Sequence, residues 1–284
     1  MTKEQITALK LKANEIRKET IKCIASIGVG HIGGSLSIAD VLAVLYFDQM
    51  KTDPKNPKWE GRDWLVVSKG HSGPAVYSAL AIKGFFDKEI LYTLNKSNTT
   101  LPSHCDRQKT PGIDMTTGSL GQGASNAAGI ALGNKMDGKD DIYTYCITGD
   151  GESQEGEIWE QAMFAAHKKL GNLIGFLDYN KLQIDGETDA VNSLGDVVAK
   201  YQAFGWHVQK VDGHDVLAIH NAIDAAKAIK DKPSMIILDT IKGKGIKELE
   251  GKASCHNANV SEEQMNQYLA ELDAEAAAIG EDKQ

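Results

Sequence analysis

The spacing of apolar residues along the first third of the chain is typical of helices, with one buried strand between them. From Ile6, apolar side chains recur at intervals of three or four residues or their multiples, which places them on one face of a helix. Further along, the pattern predicts a second helix over 37–50, a buried strand over 64–68 (WLVVS) and a mostly helical stretch over 72–95.

The centre of the chain alternates between strand and helix patterns. Strands are predicted over 141–148, 172–180, 206–211 and 234–241, and helices over 124–136, 155–170, near 193–203 and near 215–228. Such alternation forms βαβ units, so the fold class is α/β with a mainly parallel central sheet flanked by helices. An Ala-rich, acidic helix is expected near 261–280, and no linker or repeat divides residues 1–284, which predicts a single domain.

The composition excludes several classes of function. The 31 Lys and Arg residues against 39 Asp and Glu residues leave a formal charge of −8, which offers no general attraction for nucleic acid or anionic membranes. No apolar run is long enough to span a bilayer. The four cysteines lie far apart and form no C-x-x-C pair, so we expect free thiols in a cytoplasmic protein.

Three glycines near the N-terminus match the spacing of a dinucleotide-binding loop. Gly28, Gly30 and Gly33 fit G-x-G-x-x-G in the stretch SIGVGHIGGSLS. That motif requires a strand immediately before the glycines, whereas the pattern here predicts a helix. The spacing therefore does not indicate a nucleotide site.

The strongest chemical signal is the pair formed by GDG at 149–151 and Asn180, which follows after 28 intervening residues. Each lies at the carboxyl end of a predicted strand, where open α/β sheets bind ligands. A carboxylate and an amide oxygen suit Mg²⁺, and the helix beginning near Glu155 would direct free N–H groups at a diphosphate. A lone G-D-G is usually a turn, but its pairing with Asn180 across a strand–helix–strand unit favours a ligand site.

These motifs, together with their surroundings, resemble transketolase, a thiamin diphosphate enzyme. The resemblance rests on five segments in family order, spread from about residue 28 to residue 186: VGHIGGSLS, SKGHSGPAVYSAL, TPGIDMTTGSLGQG, GDGESQEGEIWEQAMFAAHKKLGNLI and YNKLQIDG. It implies the thiamin diphosphate-binding fold, with thiamin diphosphate and magnesium, or calcium or manganese in its place, as cofactors.

The resemblance also implies roles for individual residues. Asp150, Asn180 and the backbone carbonyl of Leu182 would hold the metal, Gly151 would touch the diphosphate, and Ile184 would line the thiazolium ring. A loop of Gly118, Leu120, Gly121 and Gln122 would lie against the cofactor, and Glu155 would sit in the acidic contact between cofactor sites. The catalytic histidines would be His31, His71, His104 and His256.

Imidazoles suit such a site because a neutral ring both donates and accepts hydrogen bonds and can relay protons from sugar hydroxyls. The glycines at 28, 30 and 33 would form the turn that delivers His31 to the sugar. Any one histidine could instead be structural, and His256 has the weakest motif support. We expect the remaining four, His167, His207, His214 and His220, to be structural.

The chain resembles only the first of the three transketolase domains. The pyrimidine-binding domain, which supplies the Glu that activates the cofactor, and the C-terminal domain have no counterpart. The resemblance therefore implies one subunit of a split enzyme, with a second polypeptide carrying both missing domains and two copies of each chain forming a heterotetramer. Its reaction would transfer a two-carbon ketol unit from a ketose phosphate to an aldose.

Two departures and two alternatives accompany the resemblance. Position 32 is Ile where the family often has Pro, and position 179 is Tyr where Asn or Asp often precedes the metal Asn. One alternative is the diphosphate-binding subunit of another thiamin enzyme, such as a 2-oxo acid dehydrogenase or deoxyxylulose phosphate synthase. The other is a cofactor-binding module without catalysis.

Overall fold

A computed structural model describes residues 1–281. Ten α-helices lie in this part of the chain: α1 (Lys3–Ala25), α2 (Gly33–Leu36), α3 (Ala39–Val44), α4 (Gly73–Lys83), α5 (Gln122–Met136), α6 (Gly156–His167), α7 (Thr188–Asn192), α8 (Val197–Ala203), α9 (Val216–Ala228) and α10 (Glu262–Glu281). Nine strands lie between them: β1 (Val29–Gly30), β2 (Trp64–Val67), β3 (Thr144–Gly149), β4 (Leu173–Tyr179), β5 (Leu182–Gln183), β6 (Gly186–Glu187), β7 (His207–Asp212), β8 (Ser234–Asp239) and β9 (Ala258–Asn259).

Five of the strands form one parallel sheet in the order β2-β3-β4-β8-β7. The sheet confirms the predicted α/β class. Because all five strands run in one direction, their carboxyl ends share one edge, and Gly149 at the end of β3 pairs with Asp178 near the end of β4. The functional residues expected after these strands are therefore brought to a common place.

Helices cover both faces of the sheet. Side chains alternate along the strands, so that Tyr145 and Phe176 pack in a cluster with α1, α3, α4 and α9, whereas Cys146 and Leu177 pack against α5, α6 and α8. Helix α10 lies outside α1, where the Asn14 side chain donates to the Leu272 carbonyl at 2.9 Å. The molecule thus has three main layers, with the sheet buried between two layers of helices.

Some predicted elements are shorter or more broken than their patterns suggested. The helix expected over 37–50 is α3 followed by a π-turn at Leu45–Gln49, and the stretch 72–95 is α4 followed by a 3₁₀ segment at Lys88–Thr93. Near 193–203 the helix begins only at Val197, because the Asp196 side chain caps it by accepting from the Ala199 N–H.

Two small antiparallel pairs, β1 with β9 and β5 with β6, were not predicted. Their strands have two residues each, which is too short for an alternating pattern. All four cysteines are buried and free. Between Met1 and Glu281, no helix is both long and apolar enough to cross a membrane.

Candidate active site

A cavity of about 290 Å³ opens at the carboxyl edge of the sheet. Loops after four neighbouring strands line it: Lys69 and His71 follow β2, Asp150 follows β3, Asn180 follows β4 and Lys242 follows β8. The remaining predicted residues in its wall are His31, His104, His256, Gly118, Leu120, Gly151, Leu182 and Ile184.

Four histidines from distant parts of the chain meet on one side of the cavity. The ring centroid of His31 lies 5.4 Å from that of His71, 5.6 Å from that of His104 and 5.5 Å from that of His256. His71 and His256 are closer still, at 4.9 Å. These are the four residues that the resemblance named, and the fold brings them together.

The imidazoles are poised to remain neutral. Burial lowers the pKa of all four. The charge of Lys69 adds to the effect at His71 and that of Lys242 at His256, whose pKa falls to about 3, while at His31 the proximity of His104 opposes protonation of both rings. Within residues 1–281, only one ring nitrogen of the four, Nδ1 of His256, has a hydrogen-bond partner. The other ring nitrogens are free to bind a ligand that carries hydroxyl groups.

The glycines before the first histidine behave as a turn and not as a nucleotide loop. Helix α1 ends at Ala25, and Gly28 has a φ of +83°, a conformation that side-chain-bearing residues rarely adopt. The two-residue strand β1 follows and delivers the next residue, His31, to the cavity. The helix that the hydrophobic pattern predicted upstream is therefore present, and the strand that a dinucleotide loop needs is not.

Oxygen atoms gather on the opposite side of the cavity. Asp150 Oδ1 accepts from the Gly151 N–H at 2.7 Å and Oδ2 accepts from the Lys181 N–H, while Asn180 Oδ1 accepts from the Leu182 N–H at 3.1 Å. Burial, followed by repulsion from Asp178, raises the pKa of Asp150 to about 7. A bound cation would relieve both effects.

The donor set fits a magnesium ion. Throughout residues 1–281, no three His, Cys, Asp or Glu side chains converge to form a metal site of their own. A metal here would use a carboxylate, an amide oxygen and a backbone carbonyl, which are hard oxygen donors suited to Mg²⁺. A Cβ at Gly151 would lie 3.0 Å from that of Gln183, so a side chain there would crowd Gln183.

Three predicted cofactor contacts lie outside the cavity wall. Gln122 and Glu155 are exposed, at the start of α5 and immediately before α6. Gly121 donates its N–H to Glu152 Oε1 at 2.9 Å, and a Cβ built on it would contact Glu155. They form the loop surface beside the cavity.

A buried ion pair in the cavity wall was not predicted from the sequence. Lys69 Nζ lies 2.6 Å from Asp178 Oδ2 and donates to the Gly34 carbonyl at 2.7 Å. Burial raises the pKa of Asp178, but the Lys69 charge and hydrogen bonds from Lys69, Thr240 and Ser37 outweigh it, so the net shift is downward. Asn180 Nδ2 also donates to Asp178 at 3.0 Å, which orients the amide oxygen away from that carboxylate.

The glutamate after the GDG motif was also missed. Glu152 is buried and accepts from Ser68 Oγ and from the Gly121 and Gly149 N–H groups. Its position three residues after Gly149 could have predicted this role, because a carboxylate at that spacing can accept from the backbone N–H groups of the turn. The Glu152 carboxylate ties the loop before α5 to the ends of β2 and β3.

Two of the other four histidines make structural contacts. His214 Nδ1 lies 2.8 Å from Asp40 Oδ2, and Ile241 donates its N–H to Nε2. His220 lies 2.6 Å from Asp48 and 3.2 Å from Asp224. None of the four histidines outside the cluster lines the cavity.

Comparison with protein families gives one match that covers almost the whole chain. Residues 9–279 match the family model described as "Transketolase, thiamine diphosphate binding domain". The matched region contains every residue of the cavity wall.

Two curated relatives are similar over nearly their full length. One is the 6-deoxy-6-sulfo-D-fructose transketolase subunit SqwG of Clostridium sp. (strain MSTE9), which is 56% identical over 98% of this chain and 100% of the relative. The other is an apulose-4-phosphate transketolase subunit of Phocaeicola vulgatus, 39% identical over 94% of this chain and 95% of the relative.

The fold matches solved transketolases that are about twice as long. A mutant transketolase from Pichia stipitis in complex with xylulose 5-phosphate superposes with a TM-score of 0.87 at 30% identity, covering 97% of this chain but 46% of that chain. The similarity therefore extends over one part of the longer enzyme.

Proposed function

The chain belongs to the transketolase family, and from that premise we propose that it is the diphosphate-binding subunit of a two-subunit transketolase. The second subunit carries the pyrimidine-binding and C-terminal domains, and two copies of each chain form the active heterotetramer. The relatives named as transketolase subunits, which this chain matches over 95 to 100% of their length, support the split arrangement.

The observation that carries the proposal is the convergence of the two halves of the site in one cavity. Four neutral imidazoles lie on one side, and Asp150, Asn180 and Leu182 lie on the other. A lone cofactor-binding module would need only the second set. The histidine cluster favours a reaction on a polyhydroxylated substrate over binding alone and over a 2-oxo acid donor.

The protein's contribution to the reaction is binding, orientation and proton transfer. Thiamin diphosphate, when bound, supplies the electron sink that allows a carbon–carbon bond beside a ketone to break. Asp150, Asn180 and the Leu182 carbonyl would hold Mg²⁺ against the diphosphate, and Gly151 would let the backbone approach it. The histidines would bind the ketose hydroxyls and move their protons as the two-carbon unit leaves one aldose and joins another.

The substrate class is a ketose with an anionic end group, phosphate or sulfonate. The names of the two relatives include one sugar of each kind. An aldose phosphate accepts the two-carbon unit, as in pentose phosphate metabolism. We place the reaction in the cytoplasm, where sugar phosphates are formed and where thiols such as the four buried free cysteines stay reduced.

A tagged full chain, incubated with source-cell extract, thiamin diphosphate and Mg²⁺, tests the assembly. The retained protein is identified by mass, and the eluate is assayed with xylulose 5-phosphate, 6-deoxy-6-sulfofructose and pyruvate as donors. We expect a stoichiometric partner and ketol transfer from a ketose only in the mixture. Turnover of pyruvate alone would assign another thiamin enzyme, and full activity of the chain by itself would contradict the split arrangement.

The metal assignment is tested with Asp150→Ala in the same assembly. Loss of a ligand should weaken magnesium-dependent binding of thiamin diphosphate by about 100-fold or more, since changes even behind metal ligands cost 10- to 100-fold. Isothermal titration with and without Mg²⁺ measures it. Asp231→Asn, on an exposed turn, is the matched control, and unchanged binding by Asp150→Ala removes the metal assignment.

A further inference from the structure

A second lysine in the cavity, Lys242, has no carboxylate partner in the described part of the chain, Met1 to Glu281. Its side chain lies in the loop after β8 and is 2% exposed. None of the ion pairs found within residues 1–281 includes it. Its Nζ instead lies 3.2 Å from the Leu182 carbonyl oxygen and 3.1 Å from Nδ1 of His256.

The contact with His256 determines which ring nitrogen carries the proton. An ammonium group has three donors and no acceptor, so Nδ1 of His256 must accept. A neutral imidazole that accepts at Nδ1 carries its proton on Nε2. Burial and the charge of Lys242, with smaller effects of His31 and Lys69, lower the pKa of His256 and keep the ring neutral.

The position of the ring gives this tautomer a use. His256 lines the cavity, and its centroid lies 4.9 Å from that of His71 and 5.5 Å from that of His31. Its Nε2 has no hydrogen-bond partner in the part of the chain that the structure describes. The ring thus presents a single free donor to the space beside the other imidazoles.

We propose that Lys242 is a positioning residue that holds His256 in the Nε2–H tautomer, so that His256 serves as a permanent hydrogen-bond donor to a substrate oxygen. Among the described residues, His31, His71 and His104 have no such partner, and their rings remain able to donate or accept. The division of roles rests on the proposed function: three imidazoles can relay protons from the sugar, while the fourth orients it.

Nitrogen NMR of the histidine rings tests the tautomer directly, in the full chain and without cofactor. Long-range proton–nitrogen spectra at about pH 7 distinguish protonated from unprotonated ring nitrogens, and loss of signals in His256→Gln identifies the ring. We expect an unprotonated Nδ1 and a protonated Nε2. In Lys242→Met the two nitrogen signals should move toward each other as the second tautomer becomes populated.

Two further variants separate the donor from general effects of substitution. Lys242→Arg keeps donors at this place and should retain the wild-type signals. Lys244→Met removes a partly exposed lysine of the same loop, paired with Glu250, and should leave them unchanged. Wild-type protein with a protonated Nδ1 overturns the proposal without any variant, and so does a Lys242→Met spectrum identical to wild type.

Titration and kinetics separate this inference from the function on which it rests. One contrary outcome is a Lys242→Met variant that loses affinity for thiamin diphosphate with Mg²⁺ and yet keeps the wild-type ring signals. That result would assign Lys242 to the cofactor site and overturn the proposal. In the assembled enzyme we expect kcat to fall by up to about 100-fold, the effect of a misoriented contact, with the KM for the ketose little changed. Failure of ketol transfer in the wild-type assembly bears on the function and leaves the tautomer result standing.

Discussion

At the scale of single residues, one ionised carboxylate of the site destabilises the folded chain. Asp150 is buried beside the charged Asp178, and no lysine or arginine within residues 1–281 pairs with it. Its hydrogen bonds from the Gly151 and Lys181 N–H groups favour ionisation but do not outweigh burial. This conflict is expected where a group is arranged to bind a metal and not to stabilise the fold.

Replacement of this residue should therefore stabilise the chain in the absence of metal. The pKa of Asp150 is about 7 in the folded chain, against an ordinary value of 3.8. Between these values the folded state keeps a proton that the unfolded state has released, so the free energy of unfolding falls as pH rises from about 4 to about 8. The full loss corresponds to up to about 4 kcal/mol. Asp150→Asn, which resembles the protonated acid, should gain that amount at pH 8 and nothing near pH 4, measured by urea unfolding.

The control for this prediction is Asp231→Asn, whose stability should follow wild type at every pH. An Asp150→Asn variant less stable than wild type at pH 8 would show that the carboxylate is stabilising in the folded chain. Added Mg²⁺ and thiamin diphosphate should reverse the order by stabilising only the wild type.

The sequence predicts some of these residues and not others for a physical reason. His31, His71 and Asp150 lie in short motifs whose neighbours constrain them. Lys69 and Lys242 also lie in loops that follow sheet strands, but a lysine in a loop is usually solvent-exposed. Only the packing of strands β2, β4 and β8 buries these two side chains. Their roles depend on partners 14 to 109 residues away, which no local pattern reveals.

At the scale of elements, close contact between α5 and the end of β2 shapes the site. A Cβ on Gly123 would lie 2.5 Å from Ser68 Oγ and 2.6 Å from its Cα. Ser68 donates to Glu152, which also binds the Gly121 N–H. At Gly123, the small residue is therefore explained by this specific contact with Ser68 and not only by close helix packing in general.

Substitution within α5 should have opposite effects at two glycines. Gly123→Ala should destabilise the chain by about 1 to 3 kcal/mol, because overpacking against backbone outweighs the better helix propensity of Ala. Gly129→Ala, whose added Cβ would meet no described atom within 4 Å beyond its own turns of helix, should stabilise the chain by up to about 1 kcal/mol. Urea unfolding of both variants measures this, and a stabilising Gly123→Ala would contradict the close contact.

The element patterns were most informative where periodicity was long. The apolar spacing correctly placed strands β3, β4, β7 and β8 and helices α1, α5, α6 and α9, because a buried face imposes a regular repeat. The hairpin of β5 and β6 was missed, although it carries Leu182 to the site. Two residues in each strand cannot display a repeat, and their pairing follows from the turn and not from hydrophobicity.

At the scale of the whole molecule, apolar side chains remain exposed in the cavity wall and on helix α6. Ile184 is 68% exposed and Leu120 is 38% exposed, and both are part of its wall. Met163 and Phe164 are exposed on α6, the helix that follows the GDG motif. These side chains fit a site that is completed by another polypeptide, as the proposed assembly requires.

The exposed face of α6 should be part of the contact with the second subunit. Met163→Lys adds a charge that the interface would have to bury unpaired, so the Kd of the assembly should rise by about 10-fold or more. Met136→Lys, at the opposite end of α5 from the cavity loop, is the matched control because Met136 is also exposed, at 78% against 60% for Met163.

Analytical ultracentrifugation of each variant with the partner chain measures assembly, and unfolding curves of the isolated chains should coincide. Equal weakening by both substitutions would show that added charge alone opposes assembly, and unimpaired assembly of Met163→Lys would place the partner on another face.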